Sequence, residues 1–388
     1  MTMLGEAQAI LERLIAFPTV SRDSNLSLVA YVADYLRAQG LMPVIVPDDS
    51  GTKAAIYAHA GPAAPGGVVL SGHSDVVPVD GQDWTSDPFR LTVRDGRMIG
   101  RGTCDMKGFV ALSLAAMAQA ARLPLRRPLQ IAVSYDEEIG CTGAPPMIAH
   151  MLAHGMPRAA CVIVGEPSMM QVVTGHKGGQ GFAVHVRGHE VHSSLLPKGV
   201  SAVMEGARLI GWVNEMNARN AARHPGPLAV AFDPPWTTLH VGTIAGGTAT
   251  NITARDCTMV MEIRTVPGEA IAGWRDALLT EAARLSGAMQ AVHPATGIVV
   301  TPRFDVPALV PEVGGPAEAL ARRLTGDNAC HVVGYGTEGG QFQEAGYSVV
   351  VCGPGDIAQA HQPDEFLTLD QFAQGARLME RLLDDLMA

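Results

Sequence analysis

No stretch of about 18 consecutive apolar residues occurs in the 388-residue chain, so the sequence offers no membrane-spanning helix. Basic residues are scarce: 28 Lys and Arg stand against 38 Asp and Glu, a formal net charge of −10. That balance argues against nucleic acid as a partner, because phosphate binding needs a clustered excess of positive charge. Aromatics are 5% and charged residues 17% of the chain. Ala, Val, Gly and Leu must therefore do most of the packing, which suits an α/β fold with small-residue contacts between helix and sheet. The six cysteines are scattered without a C-x-x-C pair, the pattern of reduced thiols in the cytosol. Met1–Phe17 has apolar Ile10, Leu11, Leu14 and Ile15 interrupted by Glu6 and Glu12; it predicts an amphipathic helix and lacks the basic start and continuous apolar core of a secretory signal. No G-x-S-x-G is present, which disfavours a serine hydrolase.

What is present is alternation. Strand-like runs at 42–47, 54–58, 67–70, 129–134 and 161–164 alternate with helical patterns such as 109–121, which implies a mostly parallel, doubly wound sheet covered on both faces. From about residue 177 the texture changes to strand 182–187, helix 200–219, strands 237–244 and 257–264, helix 268–285 and strand 297–304. This β-α-β-β-α-β order is the ferredoxin-like pattern. The expected organisation is an α/β domain in two parts, 1–176 and 308–388, interrupted by an inserted ferredoxin-like α+β domain at 177–307. Helix 316–324, strand 347–352 and helix 369–387 complete the outer domain.

Four of the apolar runs stop at residues able to bind metal: His73, Glu137-Glu138, Glu166 and, a little after its strand, His361. The crevice beyond the carboxyl ends of the strands of an open α/β sheet is where ligands bind. Asp105, in the Gly100–Gly108 loop ahead of a helix, is a fifth candidate. Imidazole with carboxylate suits Zn²⁺, with Co²⁺ or Mn²⁺ as substitutes, and two His with three carboxylates over-supply a single ion. Two ions bridged by a carboxylate fit the count, at a separation of about 3.5–4 Å. Asp75, two residues after His73, is placed to fix the imidazole tautomer.

Ser71–Pro78 with Trp84–Phe89, Gly100–Phe109, Asp136-Glu137-Glu138, Val164–Pro167 and Ala360–Glu365 resemble, in order, the metal motifs of a dinuclear zinc peptidase family. That family contains acetylornithine deacetylases, succinyl-diaminopimelate desuccinylases, aminoacylases and glutamate carboxypeptidases. The resemblance implies that Asp105 bridges the ions, that His73 and Glu166 complete one site, and that Glu138 and His361 complete the other. It implies Glu137 as general base, Asp75 as partner of His73, and a cis peptide at Asp105-Met106. In the family the inserted domain is a lid and dimerisation domain. It supplies an oxyanion donor from a partner subunit, here His192 in Gly188–Ser194, so a homodimer is implied. Asn251 matches a substrate-contacting position, and Arg264 the residue that grips the substrate α-carboxylate.

Within the family, Tyr335–Phe342, Cys352–Gly355 and Gln359–Glu365 resemble the acetylornithine deacetylase branch. The implied reaction is hydrolysis of a small N-acyl amino acid, N2-acetyl-L-ornithine to L-ornithine and acetate, a step of arginine biosynthesis. Acetylcitrulline, other N-acyl amino acids and succinyl-diaminopimelate are the alternatives. Glu338 is expected near the cationic side chain of the substrate. Gly334–Gly339 also fits G-x-G-x-x-G, the fingerprint of a nicotinamide-dependent oxidoreductase. Only Val332-Val333 precedes it as an apolar run and no first βαβ unit leads into it, which disfavours that reading.

Overall fold

Residues 2–388 are described by a computed structural model; Met1, the first residue of the predicted N-terminal helix, lies outside them. That helix, α1, runs Met3–Ile15, capped by the Thr2 hydroxyl on Gly5 N and ending ahead of Pro18. In chain order follow α2 (Leu26–Ala38), β1 (Val44–Pro47), β2 (Ala54–Ala60), β3 (Val68–His73), β4 (Thr92–Arg94), β5 (Arg97–Ile99), α3 (Lys107–Ala120), β6 (Leu129–Ser134), α4 (Ala144–Ala153), β7 (Cys161–Pro167) and β8 (Val173–His176). Next come β9 (Gly178–Arg187), α5 (Ala202–Ala221), β10 (Thr238–Gly246), β11 (Asp256–Thr265), α6 (Ile271–Gln290) and β12 (Gly297–Val306). The chain closes with α7 (Pro316–Thr325), β13 (His331–Val333), α8 (Gly339–Glu344), β14 (Ser348–Gly353), β15 (Phe366–Thr368) and α9 (Leu369–Met387).

The chain forms two compact units. The first holds the chain up to Gly175, Pro311–Val332 and Thr337–Ala388; the second holds His176–Val310 and Val333–Gly336. In the first, an eight-stranded sheet has the order β1-β2-β6-β3-β7-β14-β8-β13. Its centre, β6-β3-β7-β14, is parallel, and antiparallel pairs flank it at β1-β2, β2-β6 and β14-β8. Every residue of β3, β6 and β7 is buried, which explains their near-continuous apolar runs. Helix α3 is buried almost all round and packs between α1, α9 and the sheet. Its Gly, Ala and Ser residues permit that close approach. Helix α9 instead buries one stripe, Phe372, Ala376, Met379, Leu383 and Leu386, at three- and four-residue spacing.

The second unit is a four-stranded antiparallel sheet in the order β10-β11-β9-β12, with α5 and α6 packed on it. That is the ferredoxin-like order. Its core is Phe182, Val184, Val186, Leu209, Val213, Met259, Met261, Ile263 and Leu278. Alternation of burial along β11 reflects a sheet covered on one face.

Candidate metal centre

Parallel neighbours deliver their carboxyl ends side by side, about 4.8 Å apart. His73 is the last residue of β3, and Glu166 lies near the end of β7 beside it. On the other flank, β6 ends at Ser134 and the turn that follows carries Glu137 and Glu138. Asp105 precedes α3 at a cis Asp105-Met106 peptide. His361 follows β14, held in a left-handed conformation (φ 64°) that non-glycine residues rarely adopt outside sites where the surroundings impose it.

These five side chains converge. His73 Nε2 lies 3.1 Å from Asp105 Oδ1 and 3.5 Å from Glu166 Oε1. His361 Nε2 lies 3.3 Å from Asp105 Oδ2 and 3.0 Å from Glu138 Oε2. Asp105 thus presents one oxygen to each histidine. Four donors about 2.0–2.2 Å from a tetrahedral transition ion are separated from one another by about 3.3–3.6 Å; the gaps to Glu166 and from His361 to Asp105 have that size, and the other two are hydrogen-bond distances a few tenths of an ångström shorter. Donor atoms of His73, Asp105 and Glu138, and of His73, Glu137 and Glu166, lie within 4.8 Å of one another. Glu138 Oε1 and Glu166 Oε1 are buried without a hydrogen-bond partner, a costly condition for a carboxylate that a cation would relieve. The residues fit a pair of metal ions.

The electrostatics agree. Burial, followed by repulsion from neighbouring carboxylates, raises the pKa of Glu137, Glu138 and Glu166 above the ordinary range. Burial also works against ionisation of Asp105, but hydrogen bonds from His361 and His73 outweigh it and hold this carboxyl low. Hydrogen bonds to Asp105 and Glu138 raise His361 to about 10. The cluster holds more buried negative charge than its two imidazoles can balance.

Supporting contacts orient these groups. His73 Nδ1 donates to Asp75 O at 2.9 Å and faces Asp75 Oδ1 at 3.5 Å. Asp75 in turn accepts from Ser21 Oγ at 2.6 Å and from the backbone N–H groups of Glu137 and Glu138 at 3.1 and 3.3 Å. Cys141 Sγ donates to Glu137 Oε1 at 3.2 Å, and Lys53 pairs with Asp136. Sequence reasoning missed Ser21, Cys141 and Lys53, because single polar residues in loops carry no periodicity that marks them.

Glu338 differs from expectation. It does not offer a free carboxylate to a substrate cation: it is 1% exposed, and its two oxygens accept from Ser71 Oγ (3.0 Å) and Ser134 Oγ. The Gly-rich segment around it suggests a solvent-facing loop. Instead Thr337 and Glu338 lead straight into α8, whose first four residues are buried. Burial raises the Glu338 pKa to about 7.

The other candidates belong to the second unit. His192 and Asn251 are brought together there: His192 bridges to Ile252, and Ser193 N donates to Asn251 O at 2.9 Å. Both side chains are exposed. His192 Nδ1 lies 2.8 Å from Ser194 Oγ and 3.2 Å from Ser194 N. Arg264, near the end of β11, is partly exposed and pairs with Glu262 at 3.0 Å. Among the described residues no helix is long and apolar enough to cross a membrane.

Comparison with known proteins accords with this arrangement. A sequence model of peptidase family M20/M25/M40 matches residues 69–385. An acetylornithine deacetylase from Pasteurella multocida is 33% identical over 387 residues, covering 95% of this chain and 95% of its own length. Another, from Myxococcus xanthus, is 34% identical over 390 residues, with 97% of each chain covered. Among solved structures, an M20 family metallo-carboxypeptidase from Sulfolobus solfataricus matches with a TM-score of 0.77 at 17% identity, over 97% of this chain and 98% of its own. A dinuclear metal binding peptidase of the M20 family from Bacillus subtilis matches with a TM-score of 0.64 at 14% identity, over 99% and 98%. The chain belongs to peptidase family M20/M25/M40 and is a metal-dependent amidohydrolase.

Proposed function

We propose that the chain hydrolyses the amide of an N-acylated amino acid, with N2-acetyl-L-ornithine as substrate and L-ornithine and acetate as products, using two Zn²⁺ ions. The observation that carries the reading is Asp105, whose two oxygens face His73 and His361 separately. In this reading His73 and Glu166 hold one ion, Glu138 and His361 the other, and Asp105 both. When bound, the pair supplies Lewis-acid stabilisation of negative charge and lowers the pKa of water. Glu137 accepts the proton of the attacking water and returns it to the leaving amine. Asp75 keeps the His73 ring in the tautomer that leaves Nε2 free to ligate. The exposed imidazole of His192 donates to the developing oxyanion. Following the family resemblance, that histidine comes from a second copy of the chain, so the protein acts as a homodimer. Arg264 binds the substrate α-carboxylate, a bidentate task suited to guanidinium, and Asn251 contacts the substrate.

The choice of acetylornithine rests on relatives of matched length that carry that name. With that substrate the reading is of a cytosolic enzyme of arginine biosynthesis. Amine release should be measured on N-acetylornithine, N-acetylcitrulline, N-acetylmethionine, N-succinyl-diaminopimelate and a dipeptide, with metal and after chelation. N-acetylornithine should have the highest kcat/KM, and chelation should abolish all turnover. Activity surviving complete metal removal refutes the two-ion reading, and preference for another substrate refutes the substrate assignment alone. Glu137→Gln should keep both ions and lose about 10²–10⁴-fold in kcat, whereas Glu138→Ala should lose metal.

A further inference from the structure

The loop that presents Asp105 has no regular secondary structure, yet it is buried from Gly100 to Met106. Buried backbone N–H groups in such a loop each cost about 1–3 kcal/mol if unpaired. One side chain takes three of them. Glu365 Oε1 accepts from Gly102 N at 3.0 Å, Cys104 N at 2.9 Å and Asp105 N at 3.1 Å. Its Oε2 accepts from Arg101 Nη1 at 2.7 Å, and both side chains of that pair are 1% exposed. The main chain joins in: Glu365 O accepts from Gly100 N at 2.9 Å. Arg101 also reaches back to Gln362 O at 3.3 Å and Gln82 Oε1 at 2.5 Å.

Glu365 stands four residues after His361. Its carboxylate therefore ties the segment that carries one histidine to the loop whose aspartate faces both. A concave array of N–H groups closing on one anion is a rigid device, because three amides converge on one oxygen while the guanidinium holds the other. A buried Arg–Glu pair contributes little net stability by itself, so the three amide bonds give this carboxylate a use that ion pairing alone does not explain.

We propose that Glu365 is a positioning residue: through the Gly102, Cys104 and Asp105 amides it fixes the Asp105 carboxylate in the orientation that serves two ions at once. The inference rests on the two-ion reading above. Glu365→Gln keeps the shape but sets an amide N–H₂ or a weaker acceptor against Arg101 and the loop. Arg101→Met/Glu365→Gln removes the guanidinium that the single variant leaves buried without its partner. Chelated full-length protein and both variants are titrated with Co²⁺ alone, following visible absorption, with thermal melts to verify folding.

Wild type should take up two Co²⁺ per chain. Each folded variant should bind the second equivalent at least about tenfold more weakly and show an altered absorption envelope. Reloaded at saturating metal, the variants should lose kcat while KM changes less than about twofold. A role in the fold alone would lower the melting temperature and leave affinity and spectrum untouched; that result overturns the proposal, and so does failure of both variants to fold. Wild type that binds no Co²⁺ sinks the two-ion reading instead, so the two failures are distinguishable.

Discussion

Gly353→Ala tests how closely the sheet controls the metal centre. Gly353 ends β14, which runs parallel to β7, and a Cβ added there would sit 2.0 Å from Gly165 O and 2.6 Å from Glu166 O. Both obstacles are backbone atoms, so no rotamer change relieves them. Ordinary contact begins near 3.4 Å, so the strand ends must part by roughly 1.4 Å, more than a quarter of the spacing between paired strands. Overpacking of this kind costs about 1–3 kcal/mol. At about 2–4 °C per kcal/mol for a unit of this size, the melting temperature should fall by about 2–12 °C. The displaced backbone is that of Gly165 and Glu166, so the ion on the His73 side should also bind at least about tenfold more weakly. Gly211→Ala is the control: it lies inside α5 with nothing within 4 Å, and should raise stability by about 0.5–1 kcal/mol. Calorimetric melts with and without Zn²⁺, and titration of the chelated protein, read both effects. A Gly353→Ala variant that melts within about 1 °C of wild type and binds both ions normally would refute the reasoning.

Two further outcomes are expected. The folded-state pKa of Glu338, about 7, exceeds its ordinary value of 4.5, so its contribution to stability is complete below pH 4.5 and is lost as pH rises through 7. Denaturant melts of chelated Glu338→Gln should therefore show less loss of stability between pH 4.5 and 7.5 than wild type, by up to about 3 kcal/mol; superimposable pH profiles would contradict the buried placement. Arg264→Lys should raise KM for N-acetylornithine about tenfold with kcat nearly unchanged, and should leave turnover of an analogue lacking the α-carboxylate unaffected. Equal losses on both substrates would remove Arg264 from carboxylate recognition.

The parallel strands were legible because burial on both faces writes a near-continuous apolar run, and His73 and Glu166 mark where β3 and β7 reach the crevice. The ferredoxin-like order of the second unit was legible for a related reason: its strands and two 20-residue helices are long enough for their periods to separate. Strands β4, β5 and β15 have three residues each, too few to show any period. Helix α2 went unread although Leu28, Val29, Val32, Ala33 and Leu36 have helical spacing. The surroundings of Glu338 could not be read at all. Its partners lie 267 and 204 residues away, and only the closed sheet brings them together. The same distance hid Glu365, whose donors lie more than 250 residues earlier in the chain.

Strand β14 lies between β7 and β8 in the sheet although some 170 residues separate it from them, and His361 and Glu365 follow it. A ribosome has therefore finished both β7 and the whole of the second unit before the sheet can close. During that interval His73, Asp105, Glu138 and Glu166 are already made, but neither His361 nor the clamp on the Asp105 loop exists. On the two-ion reading proposed above, the nascent chain meets cellular metal with an incomplete ligand set, and full loading waits until synthesis has passed residue 365.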